Sequence, residues 1–210
     1  MYCPAHFQEN DGQVALVELL EIHPLATIVR STENGLVADH IPLFYENDKL
    51  IGHVAKANPL WQTASDSEIL VIFQGADAYI SPSWYASKPV THKVVPTWNY
   101  TTVHVYGHLN AILAPQKNLE IVQKLTDVHE KNLPEPWSVQ DAPADYIEKM
   151  LNAIVGIEIS ISRIEAKWKV SQNQSEENQA SLIKHLQDSG EQRAVKMAEE
   201  ISSRKNNLFL

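Results

Sequence analysis

The sequence predicts a mainly β protein with peripheral helices, its strands antiparallel and forming a closed or partly closed barrel around one core. Two observations predict it. The run from Val155 to Ser162 alternates strictly, with Val155, Ile157, Ile159 and Ile161 separated by Gly156, Glu158, Ser160 and Ser162, the period of two of a half-buried strand. Several other β-rich runs follow one another along the chain, and the helical stretches are inserted between them irregularly. That order disfavours a doubly wound sheet.

Taken in order, residues 12–22 carry Leu16, Val17, Leu19 and Leu20 at helical spacing, and the run stops at His23-Pro24, where the residue before proline is steered away from helix. Leu25 to Arg30 is β-branched, Glu33-Asn34-Gly35 supplies a turn, and Leu36 to Tyr45 resumes as a strand, so the pair reads as a hairpin. Asn47-Asp48 turns the chain into a third strand, Lys49 to Val54, which ends before Asn58-Pro59. Further strands are expected at Ser67 to Gln74 and Tyr100 to Leu113, with Ser81 to Tyr85 and Lys93 to Trp98 as loops. Helices are expected at Gln116 to His129 and from Ala142 to about Asn152, where Pro143 is tolerated in the first turn. Beyond Asn173 the composition turns to Gln, Ser, Glu and Lys. The stripes Ala180, Ile183, Leu186 and Ala194, Ala198, Ile201 flank Gly190 and predict two helices. Residues 1–173 are therefore read as the barrel domain and 174–210 as a C-terminal helical appendage.

The bulk properties narrow the function. With 210 residues, 44% of them hydrophobic, the chain buries one sizeable core. No run approaches the ~20 apolar residues of a bilayer span, and the start Met1-Tyr2-Cys3-Pro4 has no signal-peptide character, so a cytoplasmic protein without membrane contact is expected. Cys3 is the single cysteine, which excludes an internal disulfide. The net charge of −9 opposes nucleic acid, whose binding depends on neutralising phosphates. The outline of a helix-turn-helix between Gln179 and Ser203 does not change this. Residues 171–210 hold five basic side chains against six acidic ones, so DNA contact is unsupported by charge.

Chemistry-bearing residues cluster in two places. Gly52 to Pro59 puts His53, Lys56 and Asn58 at the end of a strand, where an ammonium, an amide and backbone N–H groups suit a phosphate monoester. An ordinary turn with Asn58 as a helix-entry residue explains the same residues. Lys93 to Tyr100, with Trp84 and Tyr85, offers planar faces and polar edges for a flat heterocycle, or equally an aromatic core. His104 and His108 lie on a predicted strand, where four residues span about 13 Å, so they do not share a metal ion. His40 and His53, on neighbouring strands, have no cysteine beside them, and no metal site is assigned. The glycines are scattered, which leaves no nucleophile elbow, Walker loop or dinucleotide fingerprint.

Several segments, in order and at ordinary spacing, resemble the PaiB family of negative transcriptional regulators. They are Gly52 to Pro59, Ala78 to Tyr85, Lys93 to Gly107, Asp141 to Ile147 with Val155-Gly156, and Lys167 to Asn173. That resemblance implies a Greek-key-like FMN-binding split barrel, with FMN held at a homodimer interface. It implies that His53, Lys56 and Asn58 lie near the FMN phosphate and that Asp39, His40 and Ile41 run past the ring. Trp98, Asn99, Tyr100 and Thr102 help close the pocket, and Lys169, Gln172 and Asn173 reach the partner's site. No catalytic side chain is implied. The alternatives are a flavin-dependent oxidoreductase, in which the cofactor carries the chemistry, and a ligand-free dimeric interaction module.

Overall fold

The computed structural model describes residues 1–63 and 66–207. Its strands are β1 (Leu25–Thr32), β2 (Gly35–Pro42), β3 (Phe44–Glu46), β4 (Lys49–Ala55), β5 (Glu68–Ile80), β6 (Thr97–Ile112) and β7 (Ile154–Lys169). Its helices are α1 (Gly12–Ile22), α2 (Lys88–Thr91), α3 (Pro115–Glu130), α4 (Ala144–Leu151), α5 (Glu176–Asp188) and α6 (Gln192–Asn207). The seven strands form one sheet in the order β2-β1-β5-β6-β7-β4-β3. The pairs β1/β2, β1/β5, β3/β4 and β4/β7 are antiparallel. The sheet is not closed: it begins at β2 and ends at β3, the split form of the barrel.

The predicted strand Leu36 to Tyr45 divides at Leu43, and its two parts go to opposite ends of the sheet order. Pro42 has no N–H to continue a ladder. The next N–H, of Leu43, bonds instead to the Pro24 carbonyl at 3.0 Å. The Leu43 side chain then lies over Gly52, where an added Cβ would stand 2.7 Å from Leu43 Cδ2. The three long strands also outrun their sequence patterns. β5 continues to Ile80, β6 starts at Thr97 inside an expected loop, and β7 runs on to Lys169.

The chain divides into two compact units. The first comprises Met1–Ala15, Gln74–Val103 and Glu165–Leu210, and the second Leu16–Phe73 and His104–Ile164. In the first, α5 packs on α6, and their buried side chains Leu182, Leu186, Ala194, Met197, Ala198 and Ile201 make a continuous apolar set. Trp168, buried near the end of β7, donates from Nε1 to Glu200 Oε2 at 3.1 Å, and the Arg204 guanidinium lies 4.8 Å over its ring. This ties α6 to the sheet.

In the second unit the alternating residues Val155, Ile157 and Ile159 are buried, as the pattern requires. Helix α3 lies over β4 and β7, with Ile121 and Leu125 packing on Ile51. Two glycines make that arrangement possible. A Cβ on Gly107 would stand 2.4 Å from the Ser160 carbonyl oxygen, and one on Gly156 would stand 2.5 Å from Asn118 Oδ1. Buried Asn118 uses that oxygen to accept the Gly156 N–H at 2.9 Å, fixing α3 to β7 by a side chain-to-backbone bond.

Gly107→Ala is expected to lower unfolding free energy by about 1–3 kcal/mol, because the obstructing atom is backbone and must move. Asn118→Ala is expected to cost a similar ~1–3 kcal/mol by stranding the Gly156 N–H. Urea denaturation monitored by circular dichroism measures both, and wild-type midpoints would contradict the packing described.

Candidate functional site

In the second unit, Asp39, Asn58 and Arg30 form a connected set. Asp39 pairs with Ile28 across the β1/β2 ladder, and Arg30 pairs with Val37, so Arg30 and Asp39 are diagonal neighbours on one sheet face. Asn58 Nδ2 donates to Asp39 Oδ1 at 2.8 Å, while Asn58 Oδ1 accepts the Leu60 N–H at 2.8 Å and caps the short Pro59–Gln62 turn. Arg30 Nε lies 4.0 Å from Asp39 Oδ2, too far for a hydrogen bond. Both atoms are buried and have no hydrogen-bond partner among the described residues. A buried donor and acceptor left unspent point to a polar guest.

Lys56 lies just past the end of β4. Its backbone is pinned on both sides, N–H to the Ala153 carbonyl at 2.8 Å and carbonyl to Trp61 Nε1 at 3.0 Å. The side chain is exposed, and among the described residues its ammonium has no partner. His53 takes a different direction. It shares the strand face of Ile51, which carries α3, and among the described residues its buried Nδ1 has no hydrogen-bond partner. Burial holds its pKa below the ordinary imidazole value. His40 is exposed and Ile41 is buried.

The first unit holds the other predicted residues. Asn99 is buried and exchanges hydrogen bonds with the Ser171 hydroxyl at 2.9 and 3.2 Å. Ser171 itself sits at φ 61°, in the left-handed region. Lys169 Nζ donates to Thr97 Oγ1 and to the Trp98 carbonyl at 2.5 Å. Burial, with a smaller contribution from Lys167, pushes its pKa down. Gln172 folds back on its own turn, accepting the Val170 N–H at 2.8 Å and donating to the Trp168 carbonyl. Tyr100 carries the Lys167 ammonium 5.1 Å over its ring, Thr102 is buried, and Asn173 is exposed. Trp98 is 52% exposed and meets Tyr79 edge to face at 6.0 Å.

A cavity of about 230 Å³ in this unit gathers Asn99, Lys169 and Asn173 with Lys93, Tyr85 and Ser171. Its lining includes two ammonium groups and no carboxylate, which suits an anionic or hydrogen-bonding guest. A second cavity, of about 220 Å³, brings Trp98 together with Tyr79 and Trp84. A third, of about 210 Å³ in the other unit, has its charges already matched, Lys124 to Glu46 at 2.5 Å and Lys49 to Glu158 at 2.6 Å. Among the described residues no three His, Cys, Asp or Glu side chains are grouped to hold a metal ion.

Arg30 lay outside the segments read as candidate sites, while Lys93 and Ser171 lay inside them without a role of their own. Arg30 left a signal: it follows Ala26 and Ile28 at strand spacing on a face otherwise apolar. Lys93 and Ser171 left none, since their meeting depends on where β6 and β7 end. The residues present fit a phosphorylated ligand. Among the described residues Arg30 Nε is a buried donor without a hydrogen bond, and Lys56 is a cation without a partner two residues from the amide that holds Asp39.

Comparison with known proteins accords with that chemistry. Residues 1–163 match the family model described as "Putative FMN-binding domain". The chain is 33% identical over 207 residues to the Bacillus subtilis protein named "Protease synthase and sporulation protein PAI 2", covering 95% of each chain. It is 28% identical over 222 residues to an uncharacterized protein of Emericella nidulans, covering 86% of this chain and 88% of that one. Among solved structures, an FAD- and heme-binding protein from Mycobacterium smegmatis shares the fold at TM-score 0.58 and 19% identity, over 77% of this chain and 73% of that one. The flavocytochrome Anf3 from Azotobacter vinelandii does so at TM-score 0.57 and 17% identity, over 77% and 69%. Among the described residues no helix is long and apolar enough to cross a membrane. The fold, the family model and the Bacillus relative agree with the resemblance read from the segments, and the chain belongs to the PaiB-like family of FMN-binding-domain proteins.

Proposed function

We propose that this protein binds FMN between two copies of the chain and acts in the cytoplasm as a PaiB-like negative regulator of transcription. The family match over residues 1–163 supports the FMN part of the reading. The cavities support the two-copy arrangement. At about 210–230 Å³, each of the three cavities described is smaller than the ~300–1,000 Å³ usual for a ligand pocket, which favours a site shared with a second copy. A second copy completes the enclosure.

In this reading Lys56 and Arg30 hold the phosphate, and Asp39, positioned by Asn58, orients the arginine. His40 and Ile41 run past the ring. His53, kept neutral by burial, is available as a hydrogen-bond donor or acceptor but not as a cation. Lys169 and Asn173 of the partner subunit contribute from the polar cavity, with Asn99 and Ser171 holding its wall. FMN, when bound, supplies one- or two-electron redox chemistry. The regulatory output passes through a protein partner whose contact surface responds to the flavin, because the net charge of −9 gives no general attraction to DNA. In this reading residues 1–173 form the flavin-binding barrel, and residues 174–210 are a helical appendage outside the flavin site.

Three outcomes test the proposal. Adding FMN at a hundredfold its Kd raises stability by about 2.7 kcal/mol in a thermal-shift assay, and freshly purified protein shows flavin absorbance. No shift and no absorbance would remove the cofactor. Lys56→Ala weakens FMN binding about tenfold or more, through loss of a charge-assisted contact of ~1.5–3 kcal/mol, while the melting temperature of the flavin-free protein is unchanged. His53 gives a pH signature. Its folded pKa lies below its unfolded value of 6.5, so the unfolded chain takes the proton first as pH falls. The stability that neutral His53 allows is complete above that unfolded value and is lost as pH falls toward the folded pKa. His53→Gln should therefore lose less stability than wild type between about pH 7 and 5. Parallel curves would show that His53 is not the group involved.

A further inference from the structure

The second cavity of the first unit has walls unlike those of a phosphate or flavin site. Tyr79 near the end of β5, Trp84 from the turn after it and Trp98 from β6 supply three aromatic rings around about 220 Å³. Tyr79 and Trp98 stand edge to face, with ring centroids 6.0 Å apart and planes at 68°. Trp84 has its own stacking partner in His185, 6.3 Å away at 20°. Rings set at a steep angle enclose a rounded space rather than a flat slot. The rings are not withdrawn into the core either: Tyr79 is 46% exposed and Trp98 52%.

The remaining wall comes from the turn between α5 and α6 and the start of α6, which bring Glu191 and Arg193 to the aromatic side. Arg193 is engaged in an ion pair with Asp77, another residue of the lining. Two carboxylates against one guanidinium leave the lining with one net negative charge, and Glu191 is its source. Gly190, at φ 66°, allows the chain to reverse there, and the Ser189 hydroxyl accepts the Glu191 N–H at 3.2 Å, holding the turn that presents the carboxylate.

We propose that this cavity is a binding site for a small organic cation of the alkylammonium class, with Tyr79, Trp84 and Trp98 as an aromatic cage and Glu191 as the counter-charge. An alkylated ammonium is rounded, weakly hydrated and attracted to ring faces, and a carboxylate beside the rings adds attraction at little desolvation cost. The site gives the C-terminal helical pair a role, since without the α5–α6 turn the cage has neither its carboxylate nor its fourth wall. The inference does not depend on the flavin reading. Trp84 and Trp98 are named for a flat heterocycle as well, so the test uses Glu191 and Tyr79.

Choline is titrated into the full chain and followed by tryptophan fluorescence and by saturation-transfer NMR on the methyl resonance. Its uncharged isostere 3,3-dimethylbutan-1-ol is run alongside. Choline is expected to bind in the millimolar range, about tenfold more tightly than the alcohol. Glu191→Gln, on an exposed turn, is expected to reduce choline affinity severalfold, and Tyr79→Leu by about tenfold, with melting temperatures unchanged. Equal binding of choline and the alcohol would make the cavity a plain apolar slot and overturn the proposal. So would the absence of any choline signal, or wild-type affinity in both variants. FMN affinity measured on Glu191→Gln stays at the wild-type value, so loss of flavin binding and loss of cation binding are read independently.

Discussion

Strand β7 is closely approached by two neighbouring elements, by β6 at Gly107 and by side chains of α3 at Gly156. At Gly107 the chain of β6 leaves no room for a Cβ against the Ser160 carbonyl, and at Gly156 the same is true against Asn118. These close approaches let α3 press onto β4 and β7 through Ile121 and Leu125, and let Asn118 take up the Gly156 N–H. A side chain at either glycine would separate layers that the buried run Val155, Ile157 and Ile159 requires to be in contact. The β4/β7 ladder, and with it the strand end that carries Lys56, depends on that spacing.

The two groups of site residues differ in how fully their polar atoms are spent. In the first unit Asn99, Ser171, Lys169 and Gln172 are committed to one another or to backbone, which makes a rigid wall with defined donors at its edge. In the second unit Arg30 Nε and Asp39 Oδ2, ion-paired at 4.0 Å, and His53 Nδ1 are buried without a hydrogen bond among the described residues. Natural cores rarely tolerate such atoms, and where they occur in a chain of this family a polar ligand is the economical explanation. Asn58 shows how one residue serves both purposes. Its oxygen caps a turn while its amide holds Asp39 in place, so the structural and the binding interpretations of the segment Gly52 to Pro59 are compatible.

The placement of charge follows the same logic at larger scale. A chain at −9 nevertheless concentrates Lys93 and Lys169 in a cavity without a carboxylate, and places Glu191 in another lined by three aromatic rings. Local composition, not net charge, decides what each cavity attracts.

Much of the fold was legible in the residues themselves. Period-two alternation marked β7, the Glu33-Asn34-Gly35 turn marked the first hairpin, and the Pro115 and Pro143 starts and the Gly190 break marked the helices, because each of these is a local property of the chain. Family membership was legible for the same reason, being carried by ordered short segments. What sequence did not reveal was where strands end and which side chains meet. The split at Leu43 follows from Pro42 together with the space over Gly52, a residue nine positions later. The entry of Thr97 into β6 and the extension of β7 to Lys169 depend on pairing with neighbouring strands, and only that pairing brings Lys169 to Thr97 and Asn99 to Ser171. The Arg30–Asp39 diagonal and the aromatic cage closed by Glu191 are likewise products of tertiary structure: hydrophobic period is encoded within a few residues, whereas contacts between distant polar groups are set by sheet register and helix docking.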